Sequence, residues 1–98
     1  MIVRIIRSHR DIVLICDDDL IGKKFEEGQF QLDIKENFFQ GDKKTEQETT
    51  ELIEKMVKED ATFNIIGKSS VNLASKIGLI NKGAVKAIQG IPFAMVLA

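Results

Sequence analysis

The chain lacks several residue types that often carry function. It has no tryptophan or tyrosine, one cysteine and one histidine among 98 residues. Cys16 has no partner for an internal disulfide, so nothing in the sequence indicates an oxidising compartment. No apolar run approaches the roughly 20 residues of a membrane-spanning helix, and residues 1–10 are too short and too often charged for a secretory signal. We therefore expect a cytoplasmic protein without membrane contact.

Acidic residues are missing from the last third of the chain. Residues 61–98 contain four lysines and no aspartate or glutamate, although the formal net charge of the whole chain is only −1. Such a division can give a small fold one acidic and one basic face. Four lysines over this length are nevertheless sparse, so the pattern favours an ordinary solvated surface over a nucleic-acid site.

The order of the apolar patterns predicts a single α+β domain. The chain is 44% hydrophobic, and its length suits one core but not two. Strands come mostly first and helices later, without regular alternation, which favours a two-layer sandwich of mostly antiparallel sheet with two main helices on one face. Strands are predicted over residues 2–8, 11–16, 29–36 and 61–66, helices over 45–60 and 68–78, and a helical turn followed by an extended segment over 84–98.

Local signals support several of these elements. Thr45 and Glu48 have the spacing of a capping box at the start of the first helix. The alternation of apolar and polar residues from Phe30 to Ile34 predicts a half-buried strand. Gly78 follows the second helix and is predicted to end it in the left-handed conformation.

The sequence Gly-Lys-Ser-Ser at residues 67–70 follows a predicted strand and opens a helix, as a phosphate-binding loop does. The full motif needs another glycine five residues before Gly67, where this chain has Thr62. We therefore expect Ser69 or Ser70 to cap the helix. Weak anion binding at this helix start stays open, because Lys68 is adjacent and no acidic residue is local.

The run Asp17, Asp18 and Asp19 could supply oxygen ligands to Mg²⁺ or Ca²⁺. Consecutive residues of a strand point to alternate faces, so the three carboxylates cannot converge without a turn, and no calcium-loop pattern is present. The favoured interpretation is a turn or short helix with Asp17 or Asp18 as its N-cap. The alternative is a metal-dependent or phosphate-binding enzyme that uses Asp17–Asp19 and Lys23.

The single cysteine and histidine do not indicate a nucleophilic enzyme. Cys16 ends an apolar strand and is expected to be buried, and the three neighbouring carboxylates would raise the pKa of its thiol. His9 lies in the predicted hairpin turn and has no orienting partner in view. We predict no catalytic residue, no metal ligand set and no cofactor.

The phenylalanines could offer stacking faces to nucleic-acid bases, but most are expected to fill the core of a domain this small. The adjacent pair Phe38 and Phe39 is the least suited to complete burial, because neighbouring residues rarely both face inward. No ribonucleoprotein-type aromatic motif accompanies them. The five residues considered for stacking are Phe25, Phe30, Phe38, Phe39 and Phe93.

A series of landmarks covers nearly the whole chain. Residues 16–28 read Cys-Asp-Asp-Asp-Leu-Ile-Gly-Lys-Lys-Phe-Glu-Glu-Gly, and Leu-Asp-Ile, Asn-Phe-Phe-Gln-Gly, residues 64–80 and Ile-Gln-Gly-Ile-Pro follow. In this order they resemble an archaeal family catalogued as domain of unknown function number four hundred and twenty-four. The resemblance implies a small archaeal α+β domain with no assigned activity, whose genes often lie near those of translation and ribosome-maturation factors.

One position departs from the family pattern. Family members often close with Gly-x-Pro-His-Ala, whereas this chain has Phe93 in place of the histidine, between Pro92 and Ala94. A catalytic or metal-bound histidine at that place would be missing here, which counts against a common enzymatic role. Gly22, Lys23 and Phe25 are among the residues that tie the chain to the family.

Together these observations predict a non-enzymatic binding or accessory module linked to translation or RNA metabolism. A protein or ribonucleoprotein partner is expected, direct contact with nucleic acid is left open, and the edge of the C-terminal strand could pair with a second copy. The predicted binding surface comprises Asp17, Asp18, Asp19, Gly22, Lys23, Phe25, Phe38, Phe39, Lys68, Ser69 and Pro92.

Overall fold

A computed structural model describes residues 1–97, which form a six-stranded sheet, a separate two-stranded sheet and two α-helices. The strand order of the larger sheet is β5-β1-β2-β6-β8-β7. Its neighbouring strands run antiparallel except at the centre, where β2 and β6 are parallel. The strands are β1 (Ile2–Ile6), β2 (Ile12–Cys16), β3 (Lys24–Glu27), β4 (Phe30–Asp33), β5 (Asp42–Lys43), β6 (Thr62–Ile66), β7 (Lys86–Ile88) and β8 (Ile91–Leu97).

Both faces of the central strands are buried. Val13 and Ile15 of β2 belong to one hydrophobic cluster, and Leu14 and Cys16 belong to another on the opposite face. This double burial explains why β2 is a nearly continuous apolar run and not an alternating one. The first hairpin, β1–β2, is confirmed by the register that pairs Ile2 with Cys16.

Helices α1 (Glu46–Lys58) and α2 (Lys68–Lys76) cover one face of the six-stranded sheet. The predicted capping box at the start of α1 is confirmed: the Glu48 backbone N–H donates to the Thr45 side chain, and the Thr45 N–H donates to the Glu48 carboxylate. Met56 of α1 and Ala74 of α2 are fully buried against the sheet. Among residues 1–97, no helix has the length and apolar composition needed to cross a membrane.

The other face of the sheet is partly covered by the β3–β4 hairpin and by the segment that follows it. Ile34 and Phe39 pack there with Leu14, and the hairpin is joined to the β7–β8 turn by a bond from the Gln89 N–H to the Glu27 carboxylate. The predicted α+β fold, mostly antiparallel with both helices on one face, is confirmed. The detail of two layers is not confirmed, because the hairpin adds a partial third layer.

Two local predictions were wrong. The helical turn predicted before the C-terminal extended segment is strand β7, whereas the extended segment itself is confirmed as β8. The two strands form a hairpin whose two-residue turn has Gln89 at φ 50° and Gly90 at φ 76°. Positive φ at both positions is typical of the turn that matches the twist of two strands. Phe30, predicted to face inward, is 72% exposed, because β4 pairs only with β3 and its first residue lies beyond the covered sheet.

Candidate functional site

Asp17 lies where β2 ends and tethers the start of α2. The Asp17 carboxylate accepts hydrogen bonds from the Ser69 N–H at 3.1 Å, the Ser70 N–H at 2.8 Å and the Ser70 hydroxyl at 2.7 Å. These two N–H groups belong to the first turn of α2, where backbone donors have no partner within the helix. The positive end of the helix dipole further favours the carboxylate charge.

This contact corrects the predicted cap of α2. Gly67 occupies the N-cap position and offers no side chain, and Ser69 and Ser70 lie inside the helix and do not cap it. Asp17 takes the N-cap position of the short 3-10 turn Asp18–Leu20, as predicted, but its side chain makes no bond there. The carboxylate fills the anion site that a phosphate would need at the start of α2.

Gly67 permits this close approach. Its φ of 108° lies in the region that side chains disfavour, and a Cβ atom at this position would overlap with the Asp17 carboxylate. The Asp17 N–H also donates to the Ile66 carbonyl at 3.0 Å, so Asp17 is bonded to the end of β6 through its backbone and to the start of α2 through its side chain. The glycine of the Gly-Lys-Ser-Ser sequence therefore serves packing against a carboxylate.

The second and third aspartates do not form a metal-ligand set with the first, although all three border one pocket. The Asp18 carboxylate forms ion pairs with the Met1 amine at 2.9 Å and with Lys43 Nζ at 3.2 Å. The hydrogen bond from the amine, followed by that from Lys43, lowers the pKa of Asp18. Asp19 is exposed. Within residues 1–97, no group of three His, Cys, Asp or Glu side chains is placed to hold a metal ion, so this geometry gives the metal alternative no ligand set.

Cys16 is fully buried beside these carboxylates. Burial, and then the charges of Asp17, Asp19 and Asp18, raise the pKa of its thiol to about 12. The thiol is therefore protonated at neutral pH, and its weak donor bond goes to the Asp17 carbonyl at 3.4 Å. This agrees with the prediction of a small buried hydrophobe.

The family residues Gly22, Lys23 and Phe25 connect the 3-10 turn to β3. Gly22 has a φ of 86°, and its N–H donates to the Ile34 carbonyl at 2.7 Å, while the Ile34 N–H returns a bond to the Lys23 carbonyl. Phe25 is half-buried in the cluster under the hairpin, and the Lys23 side chain is exposed. These residues fix the path of the hairpin across the sheet.

The two adjacent phenylalanines separate as predicted. Phe39 is buried, whereas Phe38 is 49% exposed and contacts Phe39 edge to face at 5.4 Å between ring centroids. The Arg4 guanidinium lies 6.0 Å from the Phe38 ring centroid and donates to the Phe38 and Asn37 carbonyls. Phe38 is thus held between the sheet and solvent, and Phe39 offers no free face for stacking.

A basic cleft lies along the exposed side of α2. It has a volume of about 500 Å³ and runs between the helix and the turn Lys82–Ala84. Lys68, Asn72 and Ser75 share one side of the helix because their spacing is close to one and two helical turns. Among residues 1–97, no acidic side chain lines this cleft. Its lining is Lys68, Val71, Asn72, Ser75, Lys82, Val85 and Pro92.

The predicted binding residues therefore fall into separate places. Asp17, Asp18, Asp19 and Ser69 line one hollow of about 300 Å³ together with Met1. Lys68 and Pro92 line the basic cleft, and Gly22, Lys23 and Phe25 belong to the base of the hairpin. Sequence reasoning missed the contact between Asp17 and α2. A signal for this contact was present, because the apolar strands β2 and β6 are each followed by polar residues. If two such strands are parallel neighbours, their ends lie at the same edge of the sheet and the polar residues can meet.

The fold and these features define a small α+β domain with a mixed central sheet, a helix tethered by a carboxylate, and a basic cleft. The sequence profile of a family described as protein of unknown function (DUF424) matches residues 6–98, and the chain belongs to this family. The resemblance drawn from the Cys16–Gly28 pattern is thereby confirmed.

A solved structure supports the fold. The crystal structure of an uncharacterized conserved protein from Methanopyrus kandleri superposes with a TM-score of 0.86 and 20% sequence identity, over 97% of this chain and 88% of that chain. At that identity the similarity shows the fold alone. No curated protein matches the chain.

Proposed function

We propose that this protein is a non-enzymatic accessory module in translation or RNA metabolism, and that the basic cleft beside α2 contacts a phosphate backbone. The observation that carries this proposal is the lining of the cleft, where Lys68, Asn72 and Ser75 of α2 form one wall and Lys82 lies on the other. Lysines and polar side chains that follow a groove are suited to sequence-independent contact with phosphates. The link with translation is supported by the family resemblance.

The contacts and burial of the ionisable side chains favour a binding role over a catalytic one. Asp17 is occupied by three donors from α2, and Asp18 is paired with two cations. Cys16 is buried and protonated. A catalytic group must reach its substrate in the right protonation state. These groups are instead buried or already bonded to other parts of the protein.

A salt series tests the proposal. Fluorescence anisotropy with a labelled single-stranded RNA, and co-sedimentation with ribosomes, should show binding that weakens as salt rises. Each phosphate contact contributes about 0.7 to the negative slope of log K against log salt for a single strand. The double variant Lys68→Gln, Lys82→Gln should reduce that slope by about 1.4 and weaken binding at every salt concentration.

The matched control is Lys55→Gln, Lys58→Gln, which removes the same charge from the exposed side of α1. This control should leave the slope unchanged, because α1 contributes no residue to the cleft. Equal loss in both double variants would show that only net charge matters, and absence of binding at low salt would rule out the nucleic-acid contact.

A further inference from the structure

The C-terminal half of β8 is an open sheet edge. β7 pairs with β8 only as far as Phe93, opposite Lys86, whereas β8 continues to Leu97. The prediction that the C-terminal strand is itself the sheet edge is thereby refined: β7 forms the outermost strand, and β8 is exposed only beyond it. Four residues of β8, 94–97, therefore have a neighbour on the β6 side only.

The backbone direction of these residues follows from the ladder. The Gly67 N–H donates to the Pro92 carbonyl, which shows that Pro92 points its backbone groups toward β6. Backbone groups alternate along a strand, so Ala94 and Val96 also face β6, and Met95 and Leu97 face away from it. Within residues 1–97, neither Met95 nor Leu97 has a backbone partner on that outer side.

The side chains on this open edge are apolar and exposed. Met95 and Leu97 are each 71% exposed and project on the face that carries the β3–β4 hairpin, but beyond the part that the hairpin covers. Proteins usually protect sheet edges with charge or with short strands. The two outer strands of the six-stranded sheet follow this rule. β5 consists of the charged residues Asp42 and Lys43, and β7 is three residues long and begins with Lys86.

A groove accompanies the edge. It has a volume of about 460 Å³, with the 95–97 segment on one side and Leu79, Asn81 and Ala84 on the other. Lys82 lies in the turn that forms this wall. Lys86 is the first residue of β7 and lies next to the start of the open edge. Over the described part of the chain, residues 1–97, none of the residues that line the groove is acidic, so Lys82 and Lys86 are the charged side chains at this wall.

We propose that this edge binds an extended segment of a partner protein, which adds a strand to the sheet beside residues 95–97. Unpaired N–H and C=O groups in alternation are satisfied by another strand, and the exposed Met95 and Leu97 favour apolar residues at two alternate positions of the partner. Lys82 and Lys86 favour aspartate or glutamate in the partner next to that apolar pair. A second copy would bring an equally positive edge, which opposes self-pairing.

Amide hydrogen exchange measured by NMR tests the free protein first. The Ala94 and Val96 amides should exchange slowly because they are bonded to β6, and the Met95 and Leu97 amides should exchange at least about tenfold faster. Slow exchange of all four amides in a protein that sediments as a monomer would overturn the proposal. Protection that rises with protein concentration, together with a dimer in sedimentation, would also overturn it, because the occupant would then be a second copy.

A synthetic peptide then tests the occupant. The probe is a capped nonapeptide, Glu-Glu-Val-Thr-Val-Thr-Val-Glu-Glu, and its control replaces the four glutamates by lysine. The acidic probe should slow exchange at Met95 and Leu97 at least about tenfold, and the lysine peptide should bind at least about tenfold more weakly. Absence of binding at millimolar probe, or equal binding of the two peptides, would overturn the proposal.

Matched variants locate the site. Met95→Glu, Leu97→Glu should abolish binding of the acidic peptide while the melting temperature stays unchanged, since both side chains are exposed. Phe30→Glu is the control, because Phe30 is equally exposed but lies on the other sheet. Loss of binding in the Phe30 variant, or its retention in the double variant, would overturn the assignment to β8. The β8 variants leave the cleft residues Lys68 and Lys82 in place, so they separate strand addition at this edge from RNA binding in the cleft.

Discussion

Asp17 and Ser70 are 53 positions apart in the chain, yet Asp17 Oδ1 accepts both the backbone N–H and the hydroxyl of Ser70. Ser70 is 1% exposed, so its hydroxyl has no access to solvent as an alternative partner. The pair fixes α2 to the end of β2, although the strand that precedes α2 in the chain is β6. The helix is thus positioned by a carboxylate from a different part of the fold.

Replacement of this carboxylate should destabilise the protein. Asp17→Ala leaves the first-turn N–H groups and the buried Ser70 hydroxyl without their acceptor, and hydrogen bonds to a charged group contribute about 1.5–3 kcal/mol. We expect the free energy of unfolding in urea to fall by about 2–3 kcal/mol. Asp19→Ala is the control and should change it by less than about 0.5 kcal/mol, as surface substitutions do. Equal losses would show that the tether contributes nothing specific.

Gly67→Ala should destabilise the protein both through the close approach and through a backbone conformation, φ 108° and ψ 157°, that is essentially restricted to glycine. Both Gly67 and Gly78 have positive φ, but only a Cβ at Gly67 would meet the Asp17 carboxylate, while Gly78 has open space. Gly78→Ala should cost about 1 kcal/mol from backbone strain alone. The loss at Gly67 should be larger by at least about 1 kcal/mol, and thermal or urea unfolding measures both. Similar losses would contradict the predicted overlap.

Cys16 should make stability depend on alkaline pH. In the folded chain the pKa of the thiol is raised from 9.0 to about 12, so the unfolded chain loses its proton first as pH rises. The unfolded state then binds fewer protons, and the contribution of the thiol to the free energy of unfolding is complete below pH 9 and declines from there toward pH 12. The difference in stability between the native chain and Cys16→Ala should therefore shrink over this window.

The same thiol should resist modification in the folded protein. Ellman's reagent at pH 8 should label Cys16 far more slowly in the folded protein than after denaturation, because the folded side chain is fully buried and protonated. A difference in stability that stays constant above pH 9, or rapid labelling under native conditions, would contradict the burial of Cys16.

Divalent cations should leave the melting temperature unchanged. The Asp17 carboxylate already has three donors and Asp18 has two cationic partners, so a metal would have to displace existing bonds. Binding to the folded state alone would raise the melting temperature. We expect no shift with millimolar Mg²⁺, Mn²⁺ or Ca²⁺ in a thermal melt. A rise that disappears in Asp19→Asn would restore the metal-dependent alternative.

The features predictable from the sequence are those with local causes. The Thr45–Glu48 capping box, the burial of Cys16 and the left-handed Gly78 each depend on neighbours within a few residues. The Asp17 tether depends on β2 and β6 becoming parallel neighbours, which no local pattern specifies. Phe30 was mispredicted for a similar reason, since alternation and β propensity show a strand but do not show which face will be covered. β7 was mispredicted as a helical turn because its three residues are too few for periodicity to distinguish a strand from a helix.

The β3–β4 hairpin has a consequence for how the domain opens. A two-stranded hairpin is only marginally stable alone, so it depends on the cluster of Leu14, Ile34 and Phe39 to hold it on the sheet. None of its strands belongs to the six-stranded ladder, so the hairpin can lift while the ladder stays paired. Such an opening would wet one face of β2 and leave its other face under the helices. Release of the hairpin would therefore bring Leu14 and Cys16 into contact with water before the helix-covered residues of β2.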